Sequence, residues 1–421
     1  MLADISIPNP WLMAPFVLLL AAMAVVPVAA PAWWARHYAK VALGLGAVTV
    51  GGCLGVPEAP AAIGRMFQEY VSFIALVGGL FVVAGGIHIG VRGRAGPLAN
   101  AGFLLAGAVL ANVLGTTGAA MLLIRPWLRL NDGRVRAYHL IFFIFIVANV
   151  GGCLTPVGDP PLLLGYLQGV PFWWVARHCW PMWAAGVGLL LAVFCAVDRW
   201  HQVRRPVPPP AAEPGNSWRL EGKRNLFCLA VILGAVWVEH PVFLREGLMA
   251  AAAAGSYFTT KKSVQAANGF TFHPLREVAV LFAGIFATMI PVLDWLAGPA
   301  MARLGHQATP GLLYWGSGLL SGVLDSAPAY LAAFSTLAGG AGGADPAGLL
   351  AHQAAGLTAV SVGTVFFGAA TYLGNGPNFM VKAMAEERNV PMPSLAGMVF
   401  KYTLPVLLPV LGVVWACFFR S

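Results

Sequence analysis

Two carboxylates, Asp159 and Asp325, lie inside long apolar stretches of this 421-residue sequence. An ionisable side chain at the centre of a helix in a bilayer costs about 3 kcal/mol or more, so it is retained where it binds a cation, carries a proton or pairs with a base. A desolvated carboxylate can bind H⁺ and Na⁺ in competition, which is the chemistry that a cation exchanger requires. The alternative is that both are caps. Asp159 precedes Pro160 and could be the N-cap of a half-helix, and Asp325 could cap the tip of a hairpin.

The segments around these aspartates cannot all form continuous helix. Proline removes a backbone donor and clashes with the preceding turn, so the glycine- and proline-rich runs 151–161 and 374–378 must unwind. In a bilayer, unwound backbone survives only where it lines protein or a cavity. Its freed carbonyls suit a hard cation such as Na⁺, and the helix N-terminus that follows suits an anion.

Small polar residues and glycines accompany the two aspartates at these breaks and in two interrupted apolar segments. We predict that they form one ion- or substrate-binding set, consisting of Asn112, Thr116, Thr117, Asn149, Gly152, Thr155, Gly158, Asp159, Asp325, Ser326, Thr371, Gly374, Asn375 and Asn378. Within it we expect Na⁺ at Asn112, Thr117, Thr155, Asp159, Asp325, Ser326 and Thr371. The alternative is that the polar groups only satisfy freed backbone or cap half-helices.

The composition requires a membrane environment. Hydrophobic residues make up 59% of the chain and charged residues 10%, and the mean hydropathy is +0.76, whereas soluble domains carry roughly a quarter charged residues. A disordered chain, a secreted disulfide scaffold and a nucleic-acid-binding module are thereby excluded. The net charge of +9 is what basic cytoplasmic loops supply. The six cysteines form no C-x-x-C pair, so neither metal nor disulfide chemistry is expected. The first basic residue is Arg36, so a signal peptide is not expected either.

The sequence therefore predicts an all-α polytopic protein of a bacterial-type inner (plasma) membrane, with about ten transmembrane helices and two re-entrant hairpins. A stretch of about 20 apolar residues is needed for each crossing. The predicted spans are 10–30, 40–56, 69–91, 137–152 with its continuation, 181–197, 225–238, 244–258, 275–296, 349–372 with its continuation, and 395–419.

Two further apolar segments, 97–127 and 309–338, are interrupted midway, and each could be two short spans or one hairpin. Basic residues flank the first at both ends, whereas the loop 339–348 after the second has no Lys or Arg. Because Lys and Arg accumulate in cytoplasmic loops, these charges favour two hairpins that enter from opposite sides, and they place both termini outside. Three arginines lie on the wrong side of this topology: Arg65, Arg245 and Arg420.

An internal repeat links the two halves of the chain. The pattern T-x-x-G-[D/N]-x-P occurs at 155–161 and again at 371–377. Upstream of each copy lies an interrupted segment, with Asn112 expected at the tip of the first and Asp325 at the tip of the second. Since the two hairpins enter from opposite sides, the repeats are predicted to be inverted. Inverted repeats with broken helices are typical of secondary transporters, whose site lies near the midplane at the repeat interface.

The repeat suggests a division of the chain into five parts. We expect N-terminal scaffold helices over 1–68, the first repeat over 69–198, a proline-rich cytoplasmic linker over 199–224, connecting helices over 225–274 and the second repeat over 275–421. The linker contains the run Pro-Val-Pro-Pro-Pro, which stays extended and cannot pack a core.

These motifs resemble the ion transporter superfamily. The runs Asn-Val-Leu-Gly-Thr-Thr at 112–117 and 151–161 resemble the first hairpin and the glycine-rich broken helix of divalent anion/sodium symporters. The runs 155–161, 324–328 and 371–378 more closely resemble NhaD-type sodium/proton antiporters and related citrate transporters, and the resemblance extends from about residue 69 to the C-terminus.

The resemblance implies a homodimer in which each protomer has a scaffold and a transport part that moves as an elevator. It implies a first cation site at Asn112, Thr116, Thr117, Gly152 and Thr155, and a second at Asp325, Ser326, Thr371 and Gly374. The Ser-Asn-Thr tip of the symporters is complete at neither hairpin, and Asp325-Ser326 stands in the second. An acidic tip repels citrate unless a cation covers it, so this departure favours cation exchange.

We therefore expect a Na⁺/H⁺ antiporter, with Na⁺- or H⁺-coupled transport of citrate or a dicarboxylate as the alternative. The expected partners are small cations, a carboxylate anion in the alternative, the lipid bilayer and a second copy of the chain, with no nucleic acid and no cofactor beyond the coupling ions. Enzymatic alternatives lack their motifs. Pro156 breaks the G-x-G-D pattern of an intramembrane aspartyl protease, and neither H-E-x-x-H nor a G-x-x-x-x-G-K-[S/T] loop is present.

Overall fold

The computed structural model describes residues 10–56, 59–90, 96–204, 219–238, 240–297, 308–323, 325–340 and 346–420. The helices are α1 (Ala14–Ala29), α2 (Pro31–Cys53), α3 (Ala59–Gly85), α4 (Pro97–Leu130), α5 (Ala137–Ile146), α6 (Pro160–Leu167), α7 (Phe172–Arg204), α8 (Asn225–Ala235), α9 (Leu244–Thr259), α10 (Lys262–Ala267), α11 (His273–Ala297), α12 (Pro310–Val323), α13 (Ser326–Gly340), α14 (Pro346–His352), α15 (Ala354–Phe367), α16 (Gly376–Glu387) and α17 (Leu395–Phe418). Short 3₁₀ helices cover Pro10–Met13, Val150–Gly152 and Gly368–Ala370, and α17 contains a π-helical stretch at Val399–Leu407.

The all-α class is confirmed, and the helices are built for lipid. Among the described residues, α3, α4, α7, α11 and α17 contain segments that are long and apolar enough to cross a membrane, and several shorter helices are equally apolar. Large apolar side chains are widely exposed, for example Leu98 at 83% and Phe258 at 80%. Exposed apolar side chains in this number are expected where a protein contacts lipid or another apolar partner.

Most predicted spans coincide with helices, although three helices begin well before the predicted residue. Helices α8 and α9 begin at Asn225 and Leu244, as predicted. Helix α2 begins at Pro31 rather than at residue 40, α3 at Ala59 rather than at 69, and α7 at Phe172 rather than at 181. Charged residues such as Arg65 lower the local hydropathy without interrupting the helix, so hydropathy alone places these starts too late.

The first interrupted segment forms a hairpin, as predicted, within α4. The two arms run side by side, because Asn100 Nδ2 donates to Asn131 Oδ1 over 2.8 Å and the rings of Phe103 and Trp127 stack with centroids 5.5 Å apart. The turn lies at Gly115, where φ is 73° and ψ is 156°. The prediction that Asn112 forms the tip is therefore wrong, since Asn112 belongs to the last turn of the first arm.

Gly115 is required at this turn for two reasons. Its positive φ is a conformation that side chains rarely adopt, and a Cβ there would lie 3.2 Å from the carbonyl oxygen of Val157. The apolar periodicity of the arms does not report the backbone angle of a single residue. The tip was therefore predicted about one turn too early, at Asn112.

The second hairpin consists of α12 and α13, with Asp325 at the turn between them. Equivalent hydrogen bonds align the two hairpins. Thr116 N donates to Gly158 O over 2.7 Å, and Ser326 N donates to Gly374 O over 3.1 Å. Thr116 thus corresponds to Ser326, and the counterpart of Asp325 is the turn glycine Gly115. The sequence had predicted Asn112 as that counterpart.

The breaks predicted after α5 and α15 are present. Helix α5 ends at Ile146, a 3₁₀ turn follows, and α6 begins at Pro160. Helix α15 ends at Phe367, a second 3₁₀ turn follows, and α16 begins at Gly376. Pro160 and Gly376 occupy the same place in the two copies of the T-x-x-G-[D/N]-x-P pattern, so the broken segments correspond as the pattern predicted. The inversion of the two halves relative to the bilayer stays a prediction.

The remaining elements form the surroundings of these four segments. Helices α2 and α11 pack closely through small residues, since a Cβ at Gly284 would lie 2.7 Å from the carbonyl oxygen of Ala42.

An antiparallel pair of short strands, β1 (His88–Gly90) and β2 (Arg219–Glu221), was not predicted. Of the predicted linker, 199–204 continue α7 and 205–218 lie outside the described residues, as do 341–345 of the loop 339–348. The division into five parts stays a prediction.

A buried ion pair fixes the base of the first hairpin. Arg134 and Asp198 lie 2.9 Å apart, and the Asp198 side chain is 1% exposed. The Tyr138 hydroxyl donates to Asp198 Oδ1 over 2.8 Å, and Asn100 donates to Oδ2 over 3.2 Å. A carboxylate with this many donors and a guanidinium partner is held in place rather than left to bind ions, and no motif in the sequence distinguishes it from the other acids.

Candidate ion and substrate site

Asp159 joins the first hairpin to the second broken segment. It is 1% exposed, and its Oδ1 accepts hydrogen bonds from Thr116 Oγ1 over 2.7 Å and from Asn375 Nδ2 over 3.0 Å. Its Oδ2 is buried and has no hydrogen-bond partner among the described residues. A buried oxygen without a partner is costly, and a bound cation or proton would satisfy it.

The capping alternative fits the two aspartates to different degrees. Asp159 is at the N-cap position of α6, with extended backbone angles, but its side chain makes no capping hydrogen bond. Asp325 Oδ1 accepts from Ala327 N over 3.1 Å at the start of α13, which is a local turn contact. Next to it, the buried Ser326 Oγ has no hydrogen-bond partner among the described residues.

Two small cavities adjoin these aspartates. Asp159 lines one together with Gly115, Thr116 and Gly158, and Asp325 lines the other together with Asn375. The two cavities have wall residues in common, namely Val77, Thr117 and Pro160. The structure therefore brings Thr116, Thr117, Asp159, Asp325 and Asn375, which are far apart in sequence, to one place.

Four helix N-termini meet at this place. The second arm of α4 begins after Gly115, α6 at Pro160, α13 at Ser326 and α16 at Gly376. The N-terminal end of a helix carries a partial positive charge and free N–H groups. These ends offset the negative charge of the two aspartates, and they favour an anion once a cation neutralises the carboxylates.

Besides Asp325, three of the predicted Na⁺ ligands already have hydrogen-bond partners on the protein backbone. Asn112 Nδ2 donates to Gly151 O over 2.7 Å, and its Oδ1 accepts from Leu154 N. Thr155 Oγ1 donates to Asn112 O over 2.6 Å, and in the second half Thr371 Oγ1 donates to Gly322 O over 2.8 Å. These contacts are the ones that the backbone-satisfying alternative expects, and the role of these residues as Na⁺ ligands stays a prediction.

Three asparagines connect the broken segments to each other. Asn149 Nδ2 donates to Asn378 Oδ1 over 2.7 Å, and Asn378 Nδ2 donates to the carbonyl oxygens of Gly368 and Thr371, each over 2.8 Å. Asn375 also donates to Asn149 Oδ1 over 3.2 Å. The amides therefore fix the relative position of the two breaks.

The predicted glycines allow close approach of backbone. A Cβ at Gly374 would lie 2.6 Å from Gly368 O, and one at Gly152 would lie 2.7 Å from Gly158 O. A Cβ at Gly158 would clash with Gly152 O. The carbonyls of Gly158 and Gly374 in turn accept from the first residues after the hairpin turns. Each hairpin is thereby attached to its broken segment by backbone.

Sequence reasoning missed a larger vestibule beside the site. A cavity of about 350 Å³ is lined by Arg125, His273 and Glu277, among others, and it meets the Asp325 cavity at Phe81 and Met380. Its segments all belong to the side predicted to be cytoplasmic. The signal in the sequence for this vestibule is Arg125, a basic residue near the end of the apolar segment 97–127.

The fold and the site define a class of protein. Hairpins and broken helices that meet around buried acidic groups, in a chain of membrane-spanning helices, are the construction of a secondary transporter. A family model described as "Putative citrate transport" matches residues 5–419, and the chain belongs to this family of transporters. It is an integral, multi-pass membrane protein.

The chain is also similar to two bacterial proteins, one from Mycobacterium bovis and one from Mycobacterium tuberculosis, each named as an uncharacterized transporter. Each is 24% identical over 321 residues, which cover 72% of this chain and 72% of the relative. Bacterial relatives indicate the plasma membrane. The closer resemblance to NhaD-type antiporters is not resolved by these matches and stays a prediction.

Proposed function

We propose that the protein transports citrate or a similar carboxylate together with a cation, Na⁺ or H⁺, that binds at Asp159 and Asp325. The observation that carries this proposal is the buried carboxylate of Asp159, which receives hydrogen bonds from one hairpin and from the opposite broken segment while its second oxygen lacks a partner among the described residues. The family match favours citrate as the transported solute. We therefore rank carboxylate transport, the alternative in the sequence analysis, ahead of antiport.

The chemistry of the site supports coupling of the two solutes. Without a cation, Asp159 and Asp325 repel a carboxylate from the adjoining cavities. With Na⁺ or H⁺ bound, the remaining field comes from the four helix N-termini, which attract an anion. Anion binding then requires prior cation binding, and an elevator-like movement of the transport part would carry both.

Na⁺/H⁺ antiport is the second candidate, and one observation favours it. Asp325 occupies the turn of the second hairpin, where the first hairpin has Gly115, so both adjoining cavities contain an acid. Two carboxylates that take up Na⁺ or H⁺ in turn are sufficient for exchange without any anion.

Reconstituted protein distinguishes the two candidates. Labelled citrate uptake into proteoliposomes is measured with an inward Na⁺ gradient, with an inward H⁺ gradient and with neither, and Na⁺-driven H⁺ movement is followed with a pH dye in the absence of citrate. We expect citrate uptake that depends on one of the gradients. Asp325→Asn should abolish that dependence, whereas Asp132→Asn, at an exposed turn distant in sequence from the site, should not. Na⁺-driven H⁺ movement without citrate uptake would overturn the proposal in favour of antiport.

A further inference from the structure

A second polar pocket lies on the opposite side of the site from the vestibule. It has a volume of about 480 Å³, which is within the range of small-molecule sites. Three segments of the chain form it: one face of α3, with Arg65, Glu69 and Ser72; the end of α6, with Gln168; and the start of α9, with Arg245. All three segments belong to the side predicted to be external, so we call it the outer pocket.

The outer pocket, the site and the vestibule follow one another along the length of α3. Successive turns of α3 line the outer pocket at Arg65–Ser72, the Asp159 and Asp325 cavities at Phe73–Phe81, and the vestibule at Phe81–Gly85. Phe73 and Leu76, which are 1% and 3% exposed, belong to the walls of the Asp325 and Asp159 cavities and follow directly after Ser72 of the outer pocket. The outer pocket and the site therefore adjoin the same face of α3, with apolar side chains where they meet.

The basic residues of the outer pocket are among those that the charge pattern does not explain. Arg65, Arg245 and Arg420 lie on the side where Lys and Arg are depleted, and so do Arg177 and Arg303. Two of these five, Arg65 and Arg245, come from α3 and α9 and line the same pocket. Their convergence indicates a requirement for guanidinium groups there, and guanidinium is the group that matches a carboxylate in planar geometry.

Neighbouring groups set the geometry of the pocket. Arg245 Nη2 donates to Ser72 Oγ over 3.0 Å, and both Nη2 and Nε contact Glu246 Oε1, over 2.9 and 3.0 Å. These contacts fix the guanidinium against the wall and leave Nη1 for a ligand. Gln168 Nε2 donates to Glu69 Oε1 over 2.9 Å, and Glu69 Oε2 has no hydrogen-bond partner among the described residues. Glu69 Oε2 is buried in the wall of the pocket, and a hydroxyl placed against it would supply the donor that it lacks.

We propose that the outer pocket binds a hydroxycarboxylate from the external side before it reaches the site, with Arg65 and Arg245 contacting carboxylates and Glu69 accepting from the hydroxyl. This inference rests on the proposed function for its substrate class. A bound cation at the site attracts the anion inward, whereas the pocket supplies recognition at the surface.

Uptake in membrane vesicles of both orientations tests the contribution of Arg65. The apparent KM for citrate is measured in right-side-out and in everted vesicles for wild type, Arg65→Gln and the matched control Arg420→Gln. Losing one guanidinium–carboxylate contact should raise the KM about tenfold in right-side-out vesicles, with little change in everted vesicles or in the control. An equal change in both orientations, or a KM equal to that of the control, would overturn the proposal, because a merely structural role does not depend on the side.

Binding to the purified full-length protein tests the hydroxyl contact and keeps the two proposals separate. Stabilisation against heat is measured with citrate and with tricarballylate, which is citrate without its hydroxyl. We expect wild type to prefer citrate and Glu69→Leu, which has no acceptor, to lose that preference; equal preference in the two proteins refutes the hydroxyl contact. Arg65-dependent citrate binding without transport would sustain the pocket and refute the proposed function. Citrate transport with no dependence on Arg65 would sustain the proposed function and refute the outer pocket as a binding site.

Discussion

Replacing Asp159 by Asn removes one negative charge and little else. Asn has the same shape, and its Oδ1 can still accept the hydrogen bonds that Thr116 and Asn375 now give to the carboxylate. The change therefore isolates the cation contact. A contact to a charged group contributes about 1.5–3 kcal/mol, and about 1.4 kcal/mol corresponds to a factor of ten. The apparent affinity for the coupling cation should fall about 10- to 150-fold.

The assay is citrate uptake into proteoliposomes at increasing concentrations of Na⁺ at fixed pH, and at increasing H⁺ concentration without Na⁺. The half-saturating cation concentration is compared between wild type, Asp159→Asn and the control Asp132→Asn, whose carboxylate accepts from Gly133 N at an exposed turn. The melting temperature of each protein in detergent is measured alongside. In Asp159→Asn the amide nitrogen takes the place of Oδ2, which has no hydrogen-bond partner among the described residues, so the variant could lose stability as well as the charge.

An unchanged half-saturating concentration for both cations in Asp159→Asn would refute the assignment of Asp159 as a cation ligand. So would a loss of uptake that higher cation concentrations do not restore, if the melting temperature stays at the wild-type value. The first result places the cation elsewhere, and the second gives Asp159 a role in movement rather than in binding.

Three further substitutions test the architecture. Gly115→Ala forces a Cβ into a positive-φ turn and should destabilise the protein by about 1–3 kcal/mol, measured as unfolding in detergent; Gly44→Ala, in an open position of α2, should be neutral or stabilising. Asp198→Asn leaves a buried guanidinium without its charge partner and should cost about 3–5 kcal/mol, whereas Glu386→Gln, in an exposed pair, should cost less than about 1 kcal/mol. Asn375→Ala removes a donor to the buried carboxylate and should shift the cation dependence of uptake, and an unchanged dependence would contradict the contact.

The sequence predicted the segments of the site well because their signals are local. Proline and glycine at 155–161 and 371–377 break a helix wherever they occur in an apolar run, and the structure breaks both helices there. The depletion of basic residues around the second interrupted segment was likewise sufficient to predict a hairpin.

The parts that the sequence did not predict depend on contacts between distant segments. The turn at Gly115 depends on the carbonyl of Val157, and the Arg134–Asp198 pair joins residues that no spacing relates. The same holds for the outer pocket, where Arg65 and Arg245 looked like exceptions to a topology rule until their shared location was known. Local composition cannot distinguish such an acid or base from one at an interface.

The contact between Asp159 and Asn375 has a consequence for the origin of the chain. The two residues occupy corresponding positions of the two repeats, and they touch. If the halves arose by duplication, the ancestral pair was identical, and two aspartates in this position would repel each other while two asparagines would bring no charge. A single substitution that makes the pair unlike gives one anionic group and one donor that holds it, so divergence at this position is what places a buried carboxylate at a symmetric junction.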